Sequence, residues 1–565
     1  MKLQPINQTE NYKQSSINPS SKGGVDTFFR YLATNQAVGA NVVDVAFMVV
    51  PRTGSDMIRR GPIAGAETCR REASGTANHT LVGIYGIGAG VLAAFIMGID
   101  RTYGTNSNQI MAAPETIKIL AENKSVQLKD NKHQADYLRE TLKNVKAFNP
   151  TAAKADKEGF VKLSDQTIEE IVKILDNAIS DKDLDYKKWS NIKTNNSLDV
   201  VVNKITADTG AQTKYILESS LNEGNDAKKK ISETNLKTLL EDIYKVSEAF
   251  NKEKVKSEFE AQIKSGKGIE ANKYLNKLFK FKRIKSIAGF AIAAGIGMSI
   301  QPLNMYLTKK KTGQDGFVGV EGRSKDDSTG FKVLKAASAA AFFAMVLGTL
   351  GTGPKGFMDK MEFKGFWPTI SQLKGVYGLT IISRLLAARD KDELREASMK
   401  DTLGFLSWLV LGDFVNKMTA EALDKKLDKT VMNRTEEVKQ KGFWSRVFKS
   451  QLKNRDEILI ETLAENGIET VKKDGDKTKA MKYSEMKKCI ETLPEEVKKL
   501  TKKRIRVLNL AQLSGYLFSG LVLGLGIPNL NIYITNKLDR QRKAKAAIEE
   551  DLKTQKEAEA VTTKA

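Results

Sequence analysis

The chain has 565 residues, a formal net charge of +23 and a mean hydropathy of −0.36. Its length allows several domains, and its hydropathy excludes a protein that is apolar from end to end. Two distant cysteines, Cys69 and Cys489, and two histidines, His79 and His133, exclude a disulfide framework and a His/Cys metal centre, so no metal and no cofactor is expected.

Residues 1–24 are rich in Asn, Ser, Gln and Lys and are expected to form a disordered arm. Residues 31–50 follow as an apolar helix carrying Asp44, and 51–80 are polar and basic. The stretch 81–99 carries no charge and is long enough to cross a bilayer as a helix, which takes about 17–25 residues. Within it Gly86 and Gly90 form a small-xxx-small pair that lets helices approach closely. The region 105–280 is expected to be a soluble helical insert, with apolar residues at helical spacing over 235–250 and 271–281. A charge-free run, 286–307, then returns to the membrane.

After a glycine-rich linker, 313–330, a second charge-free run covers 336–353. The runs 366–383, with Lys374, and 403–412, followed by Asp413, are shorter or interrupted. A second soluble insert occupies 419–502. The last apolar run, 507–535, contains Gly520 and Gly524 as a further packing pair and Pro528 near its end; a charged, exposed helical tail, 538–565, closes the chain. The expected fold class is therefore all-α, a polytopic helical membrane protein with about six apolar segments.

The sequence also matches itself. Gly54, Ile58, Arg60, Ala64 and Arg71-Glu72-Ala73-Ser74 align without a gap on Gly378, Ile382, Arg384, Ala388 and Arg395-Glu396-Ala397-Ser398. Further matches keep the same order, through Gln127-Leu128-Lys129-Asp130 with Gln451-Leu452-Lys453-Asn454, to two similar ends. In those ends the basic clusters 282–285 and 503–506 precede apolar runs that finish with Asn304, Tyr306, Thr308 and with Asn531, Tyr533, Thr535. The expectation is an internal duplication: unit 1 over 25–312 and unit 2 over 331–537, each a helix, a membrane helix, a soluble insert and a returning membrane helix.

Two sets of residues carry the candidate chemistry. Arg60, Arg71, Glu72 and Ser74, with Arg384, Arg395, Glu396 and Ser398, have the charge to bind an anionic substrate or lipid headgroup, or to form a gate between repeats; the plainer alternative is an interfacial helix with surface ion pairs. The Asn–Tyr–Thr sets line a polar pathway or, more simply, anchor the helix ends at the interface, with Tyr in the aromatic belt and Asn capping the chain. Asp44 and Asp413 are the acids nearest the apolar runs and are candidates to carry protons. Asp474, Asp476, Thr478 and Glu485 have partial calcium-loop spacing, but Lys479 stands where the turn needs glycine.

Basic clusters beside apolar runs fit an anionic lipid surface, and no nucleic-acid-binding motif is present. The clusters 282–285 and 503–506 place both inserts on the cytoplasmic side, whereas Lys309–Lys311 and the basic tail argue the other way. No phosphate-binding loop, nucleophile elbow or H-E-x-x-H motif occurs, which leans away from an enzyme. The function expected is transport or channel-like passage through a pseudo-symmetric two-repeat bundle in a membrane, the inner membrane if the source is bacterial. The alternative is a membrane scaffold whose cytoplasmic inserts bind protein partners.

Overall fold

A computed structural model describes residues 28–30, 32, 36–180, 197–212, 214–219, 231–313, 325–363, 368–425, 427, 429–474 and 477–562. The arm 1–24 and most of the linker lie outside them. Helix makes up 78% of the structure, so the helical class stands.

The bundle helices are numbered in chain order. α1 (Gln36–Asp44) passes through a π-helical turn, Val45–Val49, into α2 (Val50–Arg60). Gly61, at φ +91°, breaks the helix, and Pro62 starts α3 (Pro62–Thr80). α4 (Val82–Met97) follows at a 46° bend and stops at Gly98 in the left-handed conformation. After the first insert, the Asn272 side chain accepts from the Leu275 amide and opens α5 (Lys273–Thr312). α6 (Thr329–Leu350) is capped by Ser328 and closed by Gly351. α7 (Ile370–Ala387) starts with a Thr369–Gln372 capping box, and Asp390 caps α8 (Lys391–Leu406). A π turn, Ser407–Leu411, leads into α9 (Gly412–Asp424). Beyond the second insert, α10 (Glu495–Ser519), the π turn Gly520–Gly526 and α11 (Ile527–Thr562) form one long rod.

Among the described residues three helices are long and apolar enough to cross a membrane: α5, α6 and the α10–α11 rod. The bent pair α3–α4 makes a fourth if counted as one span. That is fewer than the six segments expected, because the stretches around α1, α7 and α8–α9 are helical but too short or too polar. The tail is an exposed helix over 541–552, as expected; it continues α11, and Arg542 forks onto the buried Asp392 (2.7 Å).

The packing places α5 along α4 and across α7, and α10 along α9. Gly86 lies at the first crossing: a Cβ there would sit 2.2 Å from the Phe363 ring, and one at Gly289 of α5 would sit 2.9 Å from the Gly86 Cα. A Cβ at Gly90 would meet Asn108 and Lys285. Gly520 and Gly524 of the α10–α11 rod sit against Phe47, whose ring and carbonyl oxygen would lie 2.6 and 2.7 Å from their added Cβ atoms. Gly86→Leu and Gly524→Leu are each expected to destabilise by roughly 1–3 kcal/mol, read as a lower unfolding temperature in detergent. Gly88→Leu, facing open space on the same helix, is the neutral control.

The first insert is less purely helical than expected. It holds an antiparallel sheet of order β2-β1-β3-β4, formed by β1 (Val145–Phe148), β2 (Phe160–Lys162), β3 (Tyr215–Glu218) and β4 (Ile231–Thr234). Helices including Pro114–Lys129 and Leu236–Phe250 cover it and share one apolar core with it. The second insert carries two small hairpins, β5 (Met432–Asn433) with β6 (Gln451–Leu452), and β7 (Val471–Asp474) with β8 (Lys477–Ala480). The partial calcium-loop residues therefore fall on a hairpin and the helix after it; Asp476 lies outside the described residues.

The two inserts meet. The Gln212 amide donates to the Glu457 carboxylate, and Asn203 Nδ2 donates to the Thr470 carbonyl at 3.5 Å. Both inserts thus sit on one side of the bundle. The basic clusters at the insert exits are in part structural: Lys282 pairs with Glu362 (3.2 Å), Lys285 donates to the Asn108 carbonyl (3.2 Å), and the buried Arg504 binds Glu461 (2.7 Å). Only part of each cluster is available to a lipid surface.

Burial pushes the Glu457 carboxyl up to about 7, against the opposing effect of the Asn454 and Gln212 amides that donate to it. A raised acid favours the folded state in its protonated form. Its contribution should therefore be present near pH 4.5 and lost as pH rises through about 7. Glu457→Gln is expected to flatten the stability profile across that window, measured by denaturant unfolding at several pH values.

Candidate functional site

The bundle packs an apolar core that includes Val82, Phe290, Phe342, Val376 and Phe405, and it also buries a set of polar residues and turns large apolar side chains outward. Glu67, Glu72, Asn78, His79, Gln301, Asn304, Arg384 and Asn531 are buried. Val91, Leu92 and Phe95 of α4, the last 84% exposed, face outward, as do Leu303 on α5 and Leu517, Leu521 and Leu530 on the α10–α11 rod. Buried charges and outward side chains of this size are the informative departures from a water-facing surface.

The Arg–Glu sets meet among these buried polar residues. Arg60, at the end of α2, forks onto Glu396 of α8 at 2.7 and 2.9 Å. In exchange, Arg384 of α7 reaches Glu72 of α3 at 3.3 Å. Each half thus gives an arginine to the other half's glutamate. Arg384 also binds Asp401 (3.1 Å) and the Arg71 carbonyl (3.2 Å). Glu72 is the hub: Arg52 (3.4 Å), Lys400 (3.4 Å) and Arg71 (3.6 Å) surround it as well. Arg389 bridges Glu67 (2.9 Å) and Glu393 (2.8 Å) beside them. These are buried ion pairs; the plainer expectation of surface pairs on an interfacial helix is corrected by their burial.

Local chain geometry brings this about. The break at Gly61 folds α2 back on α3, so that Arg60 and Asp56 face the same space as Thr68 and Arg71. The break before Asp390 does the same for α7 and α8. Together with Ala64, Glu67, Glu393, Ala397 and Lys400 these residues surround a cavity of about 30 Å³, room for roughly one or two waters.

The Asn–Tyr–Thr sets divide by face. Asn304 and Thr308 are buried one turn apart, while Tyr306 between them is 60% exposed. Asn531 and Thr535 are buried, and Tyr533 is 62% exposed. Thr308 accepts from Arg70 (2.6 Å), and Asn304 Nδ2 donates to Ser74 (3.5 Å). Thr535 accepts from Arg395 (2.7 Å) and donates to Glu396 (3.2 Å), and Asn531 Nδ2 donates to the Glu396 carbonyl (3.1 Å). The expected capping role for Asn is corrected, because both helices continue well past it. Ser398 is half-buried.

Of the two acids near the apolar runs, Asp44 faces inward: its carboxylate lies 3.3 Å from His79 Nε2 and accepts from Thr76. Asp413 is exposed and paired with Lys417 (2.9 Å). Sequence reasoning missed Arg52, Lys400, Asp401, Arg389 and the Asp44–His79 contact. Lys400 and Asp401, one turn beyond Glu396 on the same helix, were the available signal. Among the described residues, no group of three or more His, Cys, Asp or Glu side chains is placed to hold a metal ion. No protein-family model, curated protein or solved structure matches the chain.

Proposed function

We propose that the chain is an integral membrane protein of two related units, and that their shared interface is a charge-paired gate through which a solute passes. The observation that carries this is the exchange of pairs, Arg60 to Glu396 and Arg384 to Glu72, between residues that the self-alignment makes equivalent. A twofold relation between units generates such reciprocity. The equivalent contacts of Thr308 and Thr535 with arginines support it. Because both inserts lie on one side, the units are parallel repeats about an axis along the membrane normal. The outward apolar faces supply the bilayer contact.

The small cavity favours a second role, a closed scaffold whose joined inserts bind a protein partner. A single cysteine at Ala397, in a chain with Cys69 and Cys489 replaced by serine, separates the two. A gate predicts labelling by a membrane-impermeant maleimide that changes with the open state and reaches the site from both sides. A scaffold predicts no labelling from either side, and that result would remove the transport proposal.

A further inference from the structure

We infer that the short helix Phe443–Lys449 of the second insert, with Phe414 of α9, is a seat for the headgroup region of an anionic bilayer. This rests on the membrane reading of the bundle and adds to it a second, separate contact with lipid.

Trp444 and Phe448 are 58% and 69% exposed. They are not loosely placed. Phe414 stacks on both, with ring centroids 6.0 and 5.0 Å apart, and Phe443 packs edge-on to Trp444. Val447 is fully buried, and Arg446 Nε donates to Glu421 of α9 at 2.6 Å. The helix is therefore fixed in a pose that holds two large aromatic rings outward, where water penalises them.

The occupant follows from charge and level. From Glu436 to Lys449 the chain carries four cations, Lys439, Lys441, Arg446 and Lys449, against two acids, Glu436 and Glu437, which pair with Lys439 and Lys441. Aromatic rings among lysines match an interface of acyl chains and anionic headgroups. The level agrees: a Cβ at Gly515 of α10 would meet Asn416 and the Gly412 carbonyl, so Phe414 stands beside that turn. From Gly515 to the outward Tyr533 the rod rises ~27 Å, close to the hydrocarbon thickness of a bilayer. The aromatic cluster and Tyr533 would then mark the two boundaries of one membrane, with the cluster on the insert side. A protein partner on the same rings is the competing occupant.

The full chain, reconstituted into phosphatidylglycerol-containing vesicles, tests this by fluorescence quenching with lipids brominated at shallow acyl positions. The Trp444 signal is the difference between the native chain and Trp444→Phe. The expected result is loss of that difference signal in brominated vesicles. A smaller loss is expected for Lys441→Glu/Lys449→Glu, and restoration of the native level in neutral lipid is not expected. An unquenched Trp444 in a chain that stays in the vesicles overturns the seat and leaves the membrane reading intact. A chain that fails to stay in the vesicles overturns both.

Discussion

Glu72→Ala is expected to destabilise the chain by about 3–5 kcal/mol, the range for removing one partner of a buried ion pair. Four cations converge on this one carboxylate: Arg52, Arg71, Arg384 and Lys400. Without it, Arg384 retains Asp401, whereas Arg52 is left buried with no acid in reach among those contacts. Desolvated charge without a partner is the costly state, not the loss of the pair as such. Glu72→Leu combined with Arg52→Met should therefore recover much of the loss. Thermal unfolding in detergent gives the comparison; equal stability of Glu72→Ala and the native chain would show that the hub is not formed.

The second large effect belongs to the exchanged pairs. Arg60→Ala and Glu396→Ala should each cost about 3–5 kcal/mol, and less than their sum when combined. The charge-reversed double, Arg60→Glu/Glu396→Arg, should be more stable than either single reversal. A cycle on Arg384 and Glu72 should return coupling of the same sign, within the range of about 0.5–3 kcal/mol seen for contacting residues. If one cycle shows coupling and the other none, the reciprocity that supports two equivalent units fails.

Much of this site was legible because its short strings recur in the sequence. A single Arg-Glu-Ala-Ser string carries little information; its recurrence, with Arg60 and Arg384 at the same spacing ahead of it, picked out the residues that meet. Their burial was not legible. Charges next to apolar runs read equally well as headgroup contacts, and only the folding of α2 on α3 and of α7 on α8 turns them inward. The Asn–Tyr–Thr ends show a related limit. Their side-by-side listing in sequence hides that a helix puts i and i+4 on one face and i+2 on the other, so that Asn and Thr serve the charge network and Tyr faces out.

Helix ends with strong local caps were readable: the helices at Leu236–Phe250 and from Lys273 begin at Asn235 and Asn272 near where apolar spacing placed them. The sheet of the first insert was not, because its strands are three or four residues long and β1 pairs with β3 far along the chain. Such pairing leaves little periodic signal in either segment. Arg52, Lys400 and Asp401 escaped for a different reason: they have no charged equivalents in a consistent frame, so the self-comparison did not raise them.

The buried charges and outward apolar side chains of the bundle support the membrane reading that the gate and the lipid seat both presuppose. Alkaline carbonate extraction of membranes from cells expressing the full chain tests it most directly. The prediction is that the chain stays in the membrane pellet and is released only by detergent. Recovery of the full chain in the carbonate supernatant would contradict it.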